Sequence, residues 1–227
     1  MLKPRLKPRL KPRLKPRIEA LLESVRQAQC SVLADIGTDH AYVPIAALQR
    51  DLCRRAIACD ISPGPLASAR SNIKAAGLCA LIETRIGDGL APLIPGEADT
   101  VIIAGMGGMA IIGILEAGLE QAKPAKLILQ PQHDLEELRR KLGVLGFSIM
   151  NETLAREGER FYVVMNAVAG GGRALSDREC FVGLGSGCDW NDYLTSRAEK
   201  IERYIDSIQC DESLSKAKQQ LEWLRRA

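Results

Sequence analysis

The sequence predicts an α/β protein: a mostly parallel, doubly wound sheet closed by an antiparallel β-hairpin, with a small α-helical hairpin after it. Three observations carry this. Short apolar runs alternate with helical stretches five times between residues 31 and 145. Two further strand-like runs, 147–154 and 161–168, are joined by the short polar turn Arg156–Arg160. Beyond the glycine triplet 170–172, apolar residues recur at helical steps of three and four. Repeated strand–helix units build parallel sheets with right-handed crossovers, and a short link between two strands makes them antiparallel.

Taken in order, Ile18–Ala28 has a helical pattern, with Ile18, Leu21, Leu22 and Val25 on one face. Ser31–Asp35 is the first strand. The next helix, Pro44–Leu52, carries a proline in its first turn, where no N–H is needed. Arg55–Asp60 is the second strand, and Ser62-Pro63 opens a helix to Gly77 with an N-cap and an N1 proline. Leu81–Ile86 and Asp99–Ala104 are strands three and four, the latter followed by Gly105-Met-Gly-Gly108 and the helix Met109–Gln121. Lys126–Gln130 is strand five, and the helix Leu135–Leu145 ends at Gly146. Leu194, Ile201, Ile205 and Ile208, then Leu214, Ala217, Leu221 and Leu224, mark two helices linked by Gln209–Ser213. They form a coiled-coil-like antiparallel pair.

A chain of 227 residues, 46% of them hydrophobic, suits one α/β domain plus a small appendage. Seven cysteines are scattered with no C-x-x-C pair and no Cys/His cluster at metal spacing, so reduced thiols in a cytoplasmic protein and no bound metal are expected. The longest uncharged stretch, Thr100–Leu115, is shorter than the ~20 residues of a membrane span and is broken by glycines, so no membrane association is expected. No apolar signal core precedes it. The net charge of +3 conceals a split. Residues 2–17 are four tandem Leu-Lys-Pro-Arg copies with eight basic residues and no acid, which leaves 23 basic against 28 acidic residues elsewhere, a net of −5. Proline at every fourth position excludes a helix, so the arm 1–17 is expected to be extended and disordered. It is either a phosphate-binding arm or an artefactual duplication in which only the last copy belongs to the fold.

The candidate site lies at the strand ends, where open α/β sheets hold ligands. Asp35-Ile-Gly-Thr-Asp-His-Ala-Tyr42 follows strand one directly. Dinucleotide enzymes place three glycines in that turn, but here the second and third positions are Asp39 and Ala41. The carboxylates Asp35 and Asp39 would repel a pyrophosphate. They suit a cationic or zwitterionic ligand, and S-adenosylmethionine carries both an ammonium and a sulfonium. The same residues also fit an ordinary strand-to-helix turn capped by Asp39 or Thr38. Asp60, ending strand two, is placed to accept both ribose hydroxyls, and Asp88 after strand three to take an adenine amine. Both histidines, His40 and His133, fall on the same rim. The strand order with its closing hairpin is the plan of the class I methyltransferase (Rossmann-like) fold. The turn Ala104–Gly108 has no proline, aromatic or polar side chain to hold an exocyclic amine, so an acceptor with a ready lone pair, such as a ring nitrogen, is expected.

The runs Asp35–Tyr42, Ile103-Ala-Gly-Met-Gly-Gly108 and Ile128-Leu-Gln-Pro131, in this order, resemble the bacterial tRNA (adenine(22)-N1)-methyltransferases. The resemblance extends over about residues 14–227, including Phe181-Val-Gly-Leu-Gly185. It implies S-adenosylmethionine as methyl donor and N1 of an adenine in the tRNA D-arm region as acceptor. It places Asp35, Gly37 and His40 around the methionine moiety, Asp60 on the ribose, Asp88 near the adenine, and Gly105 and Met106 along the donor pocket. On this reading residues 18–169 are the catalytic domain and 174–227 a tRNA-positioning domain, whose Lys200, Arg203, Lys216 and Lys218 meet phosphates. Asp39 is the candidate for stabilising the cationic product and Tyr42 for stacking on an extruded base. A small-molecule methyltransferase and an NAD-dependent oxidoreductase remain as alternatives, and the oligomeric state is open.

Overall fold

The computed structural model describes residues 14–170, 173–208 and 210–227. The first three Leu-Lys-Pro-Arg copies, two residues of the glycine triplet 170–172 and Gln209 lie outside the described residues. The order is α1 (Pro16–Ala28), β1 (Val32–Ile36), α2 (Tyr42–Gln49), β2 (Arg55–Asp60), α3 (Pro63–Ala75), β3 (Ile82–Ile86) and β4 (Thr100–Met106). It continues with α4 (Gly108–Ala122), β5 (Lys126–Pro131), α5 (Leu135–Val144), β6 (Phe147–Glu157) and β7 (Arg160–Ala169). Three helices end the chain: α6 (Asp177–Val182), α7 (Cys188–Ile205) and α8 (Asp211–Arg225).

All seven strands join one sheet in the order β3-β2-β1-β4-β5-β7-β6. The first five are parallel, while β7 runs antiparallel to both β5 and β6. The order reverses between β1 and β4, which opens a crevice at their carboxyl ends. Successive residues of a strand point to opposite faces, and the core divides accordingly. Leu33, Ile102, Ile128 and Val164 pack with Leu22, Val25 and Ala47 on the face covered by α1, α2 and α3. Ala34, Ile103 and Leu129 pack on the other face with Ile111, Leu115, Leu138 and Leu142 of α4 and α5. Cys30, Cys53, Cys59 and Cys180 are buried. Among the described residues no helix is long and apolar enough to cross a membrane.

Three departures from the sequence expectations matter for the site. The arm does not run to residue 17: the fourth tetrapeptide copy is part of the fold, as the duplication reading has it, but Leu14 packs against the α1 face and α1 starts at Pro16, with Lys15 as N-cap, rather than at Ile18. The hairpin is longer and its turn tighter than expected, with β6 and β7 extending to Glu157 and Arg160 around Gly158 at φ +62°. Because β5 pairs only with Met165–Val168, the tip of this hairpin projects past the carboxyl ends of the parallel strands. Finally, α6 was not expected. Its signal is the capping box Ser176-Asp-Arg-Glu179, in which the Ser176 hydroxyl accepts from the Glu179 N–H and the Glu179 carboxylate accepts from the Ser176 N–H.

The C-terminal helices continue the sheet's own core. Phe181, Val182, Trp190, Leu194 and Leu224 belong to the same cluster as Leu138, Leu142 and Val163. A fully buried ion pair ties them in: Arg139 Nε donates to Glu152 at 2.8 Å, Arg139 Nη1 to the Cys180 carbonyl at 2.8 Å, and the Leu184 N–H to Glu152 at 2.5 Å. Gly183 permits this closeness, since a Cβ there would lie 2.6 Å from the Glu152 carboxylate.

Candidate active site

The turn after β1 is held by the neighbouring strand. The N–H groups of Gly37 and Thr38 both donate to the Cys59 carbonyl at 2.9 Å, which pulls the chain across the end of β2. Gly37 has φ +74°, which disfavours any side chain, and a Cβ there would sit 2.3 Å from Met106 Cε, so the Met106 side chain would have to move aside. Asp39 and Ala41 also adopt left-handed conformations, at φ 48° and 56°. Ala41, buried and left-handed, is the N-cap of α2, and no side chain caps that helix. Neither Asp39 nor Thr38 is therefore the helix cap that an ordinary turn would use. The Thr38 hydroxyl instead donates to Asp35 Oδ2 at 2.7 Å. Asp39 is exposed, with its carboxylate 3.4 Å from His40 Nε2. The His40 ring lies 5.3 Å from that of Tyr42, and its carbonyl accepts from Asn72 Nδ2 at 3.0 Å.

A cavity of about 290 Å³ opens at this turn. Asp35, Gly37, Thr38, Asp39, His40, Tyr42 and Val43 form one side. Ala104 and Gly105 from the end of β4, Gln132 after β5, and Arg17, Ile18 and Leu21 of α1 form the rest. Six of the nine residues expected from the sequence thus meet in one cavity: Asp35, Gly37, Asp39, His40, Tyr42 and Gly105. Met106 stands just behind it, against Gly37. Asp60 and Asp88 lie outside its lining. Asp60 Oδ1 accepts from the Ser62 N–H at 2.9 Å, which makes it a turn acceptor, and its charge reaches Asp35. Asp88 is exposed, beyond the end of β3. His133 is set apart too: it pairs with Asp134 at 2.7 Å and packs over Gly107, where a Cβ would be 2.4 Å from its ring.

Asp35 is the most perturbed acid here. Burial pushes its carboxyl up to about 6, opposed by the Thr38 hydrogen bond and reinforced by the Asp60 charge. An acid held under-paired inside a cavity is suited to a cationic ligand group. Gly107 and Gly108 serve a different purpose. The Gly108 N–H donates to the His133 carbonyl at 2.9 Å, and a Cβ on Gly108 would come within 2.4 Å of the Asp134 carbonyl. These glycines let the β4 and β5 turns lie against one another.

Sequence reasoning missed Arg17, Ile18 and Leu21 as site residues. The Arg17 N–H donates to Glu157 at 3.2 Å and its guanidinium lies 5.4 Å from the Tyr162 ring centroid, which brings the start of α1 to the hairpin tip. The tetrapeptide repeat obscured it, since Arg17 has the same local sequence as three upstream arginines. Gln132 was legible only as a residue after strand five; its Nε2 donates to the Gly105 carbonyl at 2.8 Å and bridges the two strand ends.

Comparison with known proteins agrees with this geometry. Residues 14–165 match the methyltransferase-domain family, beginning at the last tetrapeptide copy. The Bacillus subtilis (strain 168) tRNA (adenine(22)-N(1))-methyltransferase is 40% identical over 148 residues, which span 65% of this chain and 62% of that enzyme. The aligned part is thus under two thirds of that relative's length. A Streptococcus pneumoniae protein proposed to be a tRNA (m1A22) methyltransferase superposes with a TM-score of 0.86 at 31% identity, over 94% of this chain and 99% of that one. The same protein solved with S-adenosyl-L-methionine gives 0.84 over the same shares. The B. subtilis tRNA methyltransferase structure gives 0.81 at 29% identity, over 95% and 99%. With its strand order, its glycine-lined crevice and these matches, the chain belongs to the tRNA (adenine(22)-N1)-methyltransferase family.

Proposed function

We propose that this chain methylates N1 of adenine 22 in tRNA with S-adenosylmethionine as donor. The observation that carries the reading is the β1–β4 cavity, where a buried, under-paired carboxylate faces the end of β4, Ala104 and Gly105, which carries no proline, aromatic or polar side chain to hold an exocyclic amine. S-adenosylmethionine supplies an electrophilic methyl group whose sulfur departs as a neutral thioether. Asp35, Gly37 and His40 surround its methionine end, Gly105 and Met106 wall the pocket, Asp60 accepts from the ribose hydroxyls, and Asp88 lies toward the adenine. Asp60 Oδ2 has no partner among the described residues, so it is available for that bond.

Adenine N1 is unprotonated at neutral pH and attacks through its lone pair, so the chain need only position it. The product adenine is a cation. Asp39, exposed on the cavity wall, stabilises the charge as it develops, and Tyr42, half in solvent beside His40, stacks on the extruded base. Lys200, Arg203, Lys216 and Lys218 of α7 and α8 meet the RNA backbone, and residues 174–227 hold the tRNA against the site. The protein works in the cytoplasm, where its substrate is. The test is incubation of a tRNA transcript with labelled donor, followed by nucleoside mass spectrometry. 1-Methyladenosine is expected, and it should vanish with a transcript carrying guanosine at position 22. N6-methyladenosine or methylguanosine as sole product would overturn the assignment.

A further inference from the structure

A second cavity, of about 360 Å³, lies between the projecting β6–β7 tip and α7. We propose that it is a nucleotide subsite, which takes the base and phosphate of a residue adjoining the methylated adenosine. The inference rests on the RNA reading above and adds to it a place and a set of residues.

The first reason is position. Gln132 lines both this cavity and the β1–β4 cavity. Tyr162 lines the second and carries, 5.4 Å from its ring, the Arg17 guanidinium that lines the first. A strand leaving the methylation site on this side therefore passes directly over Gln132 into the second cavity. The volume falls in the range of small-molecule sites, about 300–1,000 Å³.

The second reason is chemistry. Phe161, Tyr162 and Tyr193 present half-buried rings, with Phe161 and Tyr193 5.7 Å apart. Aromatic faces beside cations are how single-stranded nucleic acids are held, by stacking along with phosphate contacts. The cations divide by role. Arg197 is used by the fold: it donates to the Phe181 carbonyl at 2.7 Å and lies 4.3 Å from the Phe181 ring centroid and 5.5 Å from that of Tyr193. It sets the Tyr193 ring in place. Arg160 and Lys200 make no ion pair and no side-chain hydrogen bond among the described residues, and both are exposed. Against a single acid, Glu159, the lining is cationic, although the chain beyond its repeat has 23 basic to 28 acidic residues. A local reversal of charge in an acidic body is an attractor for phosphate.

The experiment measures kcat and KM for tRNA at several salt concentrations, with donor affinity by calorimetry and thermal midpoint as a check on folding. Arg160→Gln/Lys200→Gln should raise KM for tRNA roughly tenfold and flatten the dependence of log KM on log salt by about 0.7–0.9, one phosphate's worth. Donor affinity should not move. Tyr162→Leu should raise KM severalfold with the salt slope unchanged, the signature of lost stacking. The matched control is Lys74→Gln/Lys123→Gln, at the amino ends of the strands. If Arg160→Gln/Lys200→Gln has the KM and slope of that control, the subsite is wrong while the methylation reading stands. If the wild-type protein modifies no tRNA, the methylation reading fails and takes the subsite with it.

Discussion

Two carboxylates of this chain are buried to nearly the same degree, Asp35 at 6% exposure and Glu152 at 5%, and the protein treats them in opposite ways. Glu152 meets Arg139 and the Leu184 N–H, and Arg139 in turn binds the Cys180 carbonyl, so each charge faces protein partners, with only Arg139 Nη2 of the pair left without a hydrogen bond. Asp35 has one hydroxyl, from Thr38, and its carboxyl rises to about 6 as burial outweighs that bond. Equal burial therefore does not mean equal purpose. An answered charge stores nothing for a ligand and fastens α6 and the following loop to the sheet. An unanswered one, open to a cavity, is ready for a cation that the protein does not itself supply.

The sharpest way to break the comparison is Glu152→Ala, which leaves Arg139 buried without its partner. A loss of about 3–5 kcal/mol in urea unfolding is expected. A loss below about 1 kcal/mol would show that the pair is no fastening at all. Asp35 should do the reverse. Its folded pKa is raised from 3.8 to about 6, so between those values the folded state binds the proton more tightly than the unfolded one. The stability of the ligand-free protein relative to Asp35→Asn should then fall as pH rises through this window, by at most about 3 kcal/mol, whatever the acids with lowered pKa values, Glu179 among them, add to both proteins. Asp35→Asn should raise stability near neutral pH. Donor affinity should behave oppositely, weakening in wild type as pH drops below about 6 and weakening at all pH values in Asp35→Asn. Unfolding curves and calorimetry at pH 4 to 7 on both proteins would reveal both signs, and a stability difference between wild type and Asp35→Asn that does not change with pH through this window would refute the assignment of Asp35.

Asp60 sharpens the comparison from outside the cavity. Asp60→Ala should weaken donor binding by roughly 1.5–3 kcal/mol, the scale of charge-assisted hydrogen bonds, with folding nearly intact. Unchanged affinity would remove Asp60 from the ribose. Gly37→Ala should cost about 1–2 kcal/mol of stability for a Cβ in a left-handed backbone, to which the displacement of the Met106 side chain adds. Gly37→Ala/Met106→Ala should recover the steric part alone. Full recovery of stability in the double variant would mean that the backbone conformation of the turn is unimportant.

Much of the site was legible along the chain because it is local. Asp35–Tyr42 is one turn after one apolar run, and Gly37, Asp39, His40 and Tyr42 share a cavity with Asp35 since a single turn cannot carry them far apart. Gly105 joins them because the sheet sets β4 beside β1, an adjacency that only the topology supplies. The contacts proposed for Asp60 and Asp88 are less direct, since each sits at the end of a strand progressively farther from the crevice between β1 and β4. The capping box at Ser176 was readable but overlooked, because α6 is too short to show a periodic stripe.

By itself the sequence determined the alternation of strand and helix, the closing hairpin, the glycine-bearing turn and the residue types at its rim. These follow from periodicities of two and 3.6 and from backbone conformations that only certain residues adopt well. Tertiary structure decided which distant segments meet. Arg17 reaches the site because α1 lies across β7 and the hairpin overshoots β5, and no local pattern records how far one strand runs past another. Likewise, nothing in the spacing of Arg139, Glu152 and Leu184 announces a buried pair. Their meeting depends on packing between elements remote in the chain, where burial and geometry, not propensity, determine which charges are answered.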